Sequence, residues 1–289
     1  MQRRFSIGNT AGMLRDMCLM DNEFFSVSFD GDRANTQLML GIILGRDDLS
    51  VVSVKTQKEI RNMPDLHSVC LDIAATDRDG NLYDIEIQRA HDPAERMRAR
   101  FYSAMMDVRS LGEGMDYGRL PQSYVIFIDE HDAIGRGRAL YRMERMDSET
   151  CEPYGDGSHI IHVSASLADE GTDLGKLMHD LRCTDPEKMY YTGLRERTSY
   201  FKCTEEGKKD MSEAFRKMYE SDIEEAMKEG IRKGIRKGIK EGIRKGSDER
   251  AEDNARCMIM DGSLPLSKVA KFSGLSLDEV EKLKRSIDI

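Results

Sequence analysis

No apolar run in this chain approaches the roughly 18 residues that a membrane span requires. The first residues, MQRRFSIGNTAGMLRDMC, begin basic, yet no apolar stretch follows, so no secretory signal is expected. No CxxC pair occurs among Cys18, Cys70, Cys151, Cys183, Cys203 and Cys257, which argues against a zinc ribbon. Without an export signal, these thiols are expected to be reduced, in a cytoplasmic protein. Positive charge is not in excess either: 44 Lys and Arg meet 53 Asp and Glu, a formal net charge of −9. A uniformly basic coat is excluded, and any nucleic-acid contact must come from a local patch. GxGxxG and Walker-type loops are missing, as is a GxSxG elbow, so nucleotide-dependent chemistry and serine hydrolysis are unsupported.

What is present divides the chain by composition. Residues 1–20 form an N-terminal extension, and residues 21–205 mix apolar runs with turns, as a folded domain does. Residues 206–250 are almost all charged, small or helix-forming, and residues 251–289 return to helical periodicity in a compact tail. In the domain, a helix is expected over 37–44, capped near Asn35-Thr36 and ending before Gly45. Strands follow at 51–56, 68–76 and 82–88. Met97, Phe101, Met105 and Val108, spaced by 4, 4 and 3 within 94–111, predict the buried face of a helix. Ser123–Ile128 reads as a central strand. A hairpin near Gly155-Asp156-Gly157 and helices near 174–182 and 187–200 complete a mixed α/β domain.

The hairpin joining the second and third strands carries the most information. A three-residue loop, Arg78-Asp79-Gly80, with Gly in the left-handed region, pairs residue i with residue 158 − i. Asp72 then faces Glu86, with Cβ atoms about 4.5–5.5 Å apart. Asp84 and Gln88 flank Glu86 on the same side, while Leu71, Ile73, Tyr83, Ile85 and Ile87 take the other. A two-residue turn would slip the register by one and turn Asp72 away. Two carboxylates on neighbouring strands repel unless a cation or proton intervenes, and hard oxygen ligands so placed suit Mg²⁺ or Mn²⁺. A polar sheet face open to water is the other reading.

Leu71-Asp72-Ile73, followed by Tyr83-Asp84-Ile85-Glu86-Ile87-Gln88-Arg89, resembles the Asp…Glu-x-Gln core of the PD-(D/E)xK nuclease family transposases, relatives of the recombination-promoting nucleases. The resemblance extends to Asp21-Asn22-Glu23-Phe24-Phe25, Arg98–Ser103, Tyr124–Ile128, Gly155–Ile161 and Met178–Cys183, and on to the glycine-punctuated segment and tail. It implies an α+β, restriction-endonuclease-like core with a helical C-terminal extension. It also implies a divalent-metal-dependent DNA endonuclease, with Mg²⁺ or Mn²⁺ on Asp72 and Glu86. The third position, Lys in many relatives, is Gln88, which can hydrogen-bond the attacking water but adds no charge. An acidic residue found on the first helix of some relatives is not evident, the nearest position being Gln37. The rival is a catalytically weak DNA-binding or assembly protein on the same fold.

Other features carry less. Arg96 and Arg100, one turn apart after the Glu86 strand, either clamp phosphates or solvate a helix face. His159 and His162, three apart on a strand, point to opposite faces; no histidine–metal site is expected among His67, His91, His131, His159, His162 and His179. The tail pattern Val269-Ala270…Gly274, with Ser276 and Glu279 forming a capping box, is that of a small helix-turn-helix. Acid in the first turn of its second helix suits assembly better than base reading.

Gly recurs at 230, 234, 238, 242 and 246, with Ile at 231, 235, 239 and 243. Arg232, Lys233, Arg236 and Lys237 lie among them, and 230–246 carries seven basic residues against one acidic, a net charge of +6. A solvated spacer, homo-oligomerisation through the small-residue stripes and phosphate binding are all open readings. If this helix engages four or five phosphates, log affinity should fall with log salt at a slope of about −4. Truncation before Glu229 should flatten that slope in salt-titrated DNA binding. Equal slopes for the two proteins would remove the segment from the DNA contact, and sedimentation of the truncated protein would reveal self-association instead.

Overall fold

A computed structural model of the chain describes residues 10–60, 68–90 and 94–287. The chain separates into two units, residues 1–216 and 217–289. In the first, α1 (Thr10–Asp16), α2 (Asn22–Phe29) and α3 (Arg33–Leu44) precede β1 (Val51–Ile60), β2 (Val69–Asp77) and β3 (Leu82–Gln88). Then come α4 (Glu95–Ser110), β4 (Ser123–Asp129), β5 (Leu140–Met143), β6 (Ser158–Ser164), α5 (Asp173–Arg182) and α6 (Thr192–Cys203). The helix α7 (Glu205–Asp261) runs on into the second unit, which closes with α8 (Leu266–Ser273) and α9 (Leu277–Ile287).

The six strands form one mixed sheet in the order β1-β2-β3-β4-β6-β5. Antiparallel pairing joins β1 to β2, β2 to β3 and β5 to β6, while β3, β4 and β6 run parallel. The apolar run of β4 explains its central place: Val125, Ile126, Phe127 and Ile128 are all sealed from solvent, so the sheet is covered on both sides. On one side Ala99, Met105 and Met106 of α4 pack with Val125, Phe127, Leu71 and Val69. α2 and α3 pack against β1, with α5 and α6 behind them. The expected α+β, restriction-endonuclease-like architecture with a helical C-terminal part is thus observed.

Several expectations need correction. α3 starts at Arg33 because Asp32, not Asn35 or Thr36, is its cap, accepting from the Asn35 N–H at 3.0 Å. Gly45 does end it, at φ +70°. The first strand continues past 56 to Ile60, the hairpin near 155–157 belongs to a longer connection from β5 to β6, and 187–200 is a 3-10 turn followed by α6. The largest misreading concerns α4. Met97, Phe101 and Val108 face solvent, and the buried residues are Glu95, Ala99, Ser103, Met105 and Met106. Small Ala99 and Ser103 let the helix approach the sheet closely, and Ser103 Oγ lies 2.8 Å from Ser158 Oγ of β6. Glu95 and Arg98 then turn inward for polar partners, which leaves the longer apolar side chains outside.

In the second unit, Ala255 of α7 packs with Val269 and Val280. Gly274 ends α8 at φ +82°, and Ser276 and Glu279 form the expected reciprocal cap, with the Ser276 N–H donating to Glu279 Oε2 at 2.8 Å. Ile231, Ile235, Ile239 and Ile243 are exposed, and nothing approaches the five glycines beside them. All six cysteines are free thiols. Among the described residues, no helix is long and apolar enough to cross a membrane.

Candidate functional site

The β2–β3 hairpin pairs Thr76 with Leu82, Ala75 with Tyr83, Ala74 with Asp84 and Ile73 with Ile85, each pair summing to 158. Gly80, at φ +87°, closes the three-residue loop, and Asp77 locks it by accepting from the N–H groups of Asp79 and Asn81 and from the Tyr83 hydroxyl. Asp72 and Glu86 follow as the next facing residues, and here the ladder gives way to side chains. The Asp72 N–H donates to Glu86 Oε1 at 2.9 Å, and the Ile87 N–H donates to Asp72 Oδ2 at 3.2 Å. Each carboxylate therefore fills the gap between the strands and satisfies a donor on the opposite one. Beyond this point β2 stays with β1 as far as Ile60–Val69, and β3 stays with β4 as far as Gln88–Asp129. The two central strands fork, with the acids in the crotch.

A third strand buttresses the fork. Gln57 of β1, level with Asp72, has φ +49°, a left-handed conformation that a non-glycine residue holds only when its surroundings require it. Its amide donates to Ser26 Oγ at 2.8 Å and to Asp72 Oδ1 at 3.3 Å. From the other side, Arg98 Nη2 stands 3.5 Å from Glu86 Oε2, its guanidinium lying over the rings of Phe127 (5.0 Å) and Tyr102 (5.7 Å).

Negative charge is in excess. Asp72, Asp84 and Glu86 are all buried. Burial pushes the Asp72 carboxyl up to about 6. Burial, and then the charge of Asp72, push Glu86 up to about 8. Asp84 is raised well above the ordinary range, first by burial and then by its two acidic neighbours. Neither oxygen of Asp84 has a hydrogen-bond partner, so no hydrogen bond offsets the burial of its charge. Three buried carboxyls with hard oxygen donors, two of them unsatisfied at Asp84, fit a small divalent cation better than they fit one another.

The residues singled out from sequence are distributed unevenly. Asp72 and Glu86 come together. Gln88, half-buried at the end of β3, lies two residues beyond Glu86 on the same side. Arg96 and Arg100 are exposed and do not reach the fork; Arg98, between them on the helix, does. Arg232, Lys233, Arg236 and Lys237 lie on α7 in the second unit, where Lys233 pairs with Glu229 at 2.7 Å. Gln37 accepts from the Val51 N–H at 3.0 Å, tying α3 to β1.

A second polar cluster went unread in the sequence. His162 Nδ1 lies 2.8 Å from Glu95 Oε1 and 3.3 Å from Asp129 Oδ2, with all three side chains buried. Burial alone would lower the His162 pKa, but the two acidic side chains beside Nδ1, Asp129 and Glu95, outweigh it and raise it to about 9. His159 does point elsewhere, stacking on Tyr124 beside Glu144, whereas His67 and His91 fall outside the described residues.

Residues 31–165 match the family model of the PD-(D/E)XK nuclease family transposases. That segment holds the fork, α4 and both polar clusters, and the match bears out the resemblance read from the sequence and indicates a nuclease-type function. No curated protein and no solved structure matches the chain.

The raised carboxyl pKa values set a pH dependence. A proton held in the folded state but not in the unfolded one contributes stability below the ordinary carboxylate range, and that contribution is lost as pH rises through the folded value. The window here runs from about 4 to about 6 for Asp72 and to about 8 for Glu86. Chelator-treated wild type should therefore lose melting temperature relative to an Asp72→Asn, Glu86→Gln variant between about pH 5 and about pH 8.5, by about 2–4 °C per kcal/mol of repulsion. Mn²⁺ should restore it most at the alkaline end. A constant difference between the two proteins across that range would contradict the assigned electrostatics.

Proposed function

We propose that this protein is a divalent-metal-dependent DNA endonuclease of transposase type, hydrolysing phosphodiester bonds at the fork of β2 and β3. The observation that carries the reading is the insertion of Asp72 and Glu86 between the two strands, with their charge poorly compensated. Both would hold Mg²⁺ or Mn²⁺. A bound ion would supply Lewis acidity to the scissile phosphate and lower the pKa of an attacking water.

The chain's own groups have separable tasks. The strand N–H groups and the Gln57 amide fix the rotamers of both acids before any ligand arrives, which limits reorganisation. Arg98 restrains Glu86 and, with its planar face on Phe127, cannot follow it far. Gln88 at the rim can orient water through its amide but cannot stabilise charge as a Lys would. DNA is the substrate the family match supports. With a net charge of −9, approach to it must be local, through exposed Arg96 and Arg100 or through the basic stretch of α7. The free cysteines fit a cytoplasmic setting.

Plasmid nicking tests the reading. Wild type should nick with Mg²⁺ or Mn²⁺ and not with EDTA, and Asp72→Asn and Glu86→Gln should each lose activity by about a hundredfold or more. Unchanged nicking by Asp72→Asn at matched purity would overturn the site. A wild type that binds DNA but nicks with neither ion would favour the binding or assembly protein.

A further inference from the structure

We propose that Glu95, Asp129 and His162 form a second divalent-cation site, distinct from the carboxylate fork, with the donor chemistry of Mn²⁺ or Zn²⁺. The three residues come from separate rigid elements: the first turn of α4, the last residue of β4 and the middle of β6. Their ligand atoms all lie within 4.8 Å of one another. The side chains retain only 3–5% of their exposure.

Hydrogen bonding alone does not account for this convergence. An imidazole Nδ1 carries at most one proton, yet two carboxylate oxygens press on this one, at 2.8 and 3.3 Å. The nitrogen can serve Asp129, and Glu95 Oε1 is then left buried with no hydrogen bond. A buried carboxylate oxygen in that position is costly, and a second carboxylate beside it raises the cost. A cation removes both penalties. With metal–ligand bonds of about 2.0–2.2 Å, neighbouring donors in a tetrahedral or octahedral shell stand about 2.9–3.4 Å apart. The two nitrogen–oxygen separations, 2.8 and 3.3 Å, are close to that spacing, and the two carboxylate oxygens lie within 4.8 Å of each other.

The donor set also selects the ion. One imidazole with two carboxylates is too nitrogen-rich for a Mg²⁺ or Ca²⁺ cage, and without thiolate it does not suit Cu(I). With His162 neutral, the two carboxylates balance a 2+ ion. The imidazole ring stacks on Phe127 at 5.3 Å and 13°, which holds its orientation. Phe127 in turn underlies Arg98, one helical turn beyond Glu95. An ion here would fasten the first turn of α4 to β4 and β6, and so would steady Arg98 against Glu86.

Mn²⁺ spectroscopy separates this site from the fork, because the fork offers oxygen donors and this site offers an imidazole nitrogen. The full chain carrying Asp72→Asn and Glu86→Gln is titrated with Mn²⁺, the bound ion is counted by electron paramagnetic resonance, and electron spin-echo modulation reads directly bound ¹⁴N. One bound Mn²⁺ with ¹⁴N modulation is expected. Adding His162→Ala should abolish the modulation, and adding the near-isosteric Glu95→Gln should weaken binding by at least about tenfold while keeping the fold. No bound Mn²⁺, bound Mn²⁺ without ¹⁴N modulation, or binding indifferent to Glu95→Gln would overturn the site and leave a protonated His162 between two acids.

Discussion

The fork of the sheet depends on two backbone N–H groups that cannot find a strand partner. Where β2 and β3 part, the donors of Asp72 and Ile87 face the gap, and only a side-chain acceptor can reach them. Carboxylates meet that need, but two of them in one buried crotch repel, and Asp84 adds a third. The gap thus calls for side-chain acceptors, and this chain fills it with acids where electrostatics resists them; a proton or a divalent cation resolves the conflict. Functional sites commonly hold such unresolved energy, and here its source is the divided pairing of the two strands.

α4 is the element that turns the fork into a site. It gives up apolar burial on the sheet for Glu95, Arg98, Ala99 and Ser103, and leaves Met97 and Val108 in solvent. Through Arg98 it touches the fork, and through Glu95 it touches the cluster around His162, with Phe127 stacked between the two. One helix therefore couples the position of both polar centres to a single aromatic ring on β4.

The fork was legible in the sequence because turn chemistry fixes register. Arg78-Asp79-Gly80 admits a three-residue loop, and period-two alternation then carries Asp72 to Glu86 without any tertiary knowledge. Gln57 is not legible, since its place depends on a backbone kink one residue past the point where alternation predicts the first strand to end. Arg98 is not marked by the one-turn spacing that draws attention to Arg96 and Arg100, and the apolar stripe Met97-Phe101-Met105-Val108 points to the wrong face of α4. Propensity and periodicity favoured that stripe, and close approach through Ala99 and Ser103, with polar demand at the site, overrode them. Glu95, Asp129 and His162 have no shared spacing to detect. Parallel register between β4 and β6 alone brings two of them together.

The central claim, that the fork exists to hold a divalent ion, is tested most directly by a crystal structure grown with Mn²⁺ and read by anomalous scattering. An anomalous peak is expected between Asp72 and Glu86, and it should disappear in crystals of Glu86→Gln. A protein that cleaves DNA under the same conditions with no peak at the fork would contradict the claim.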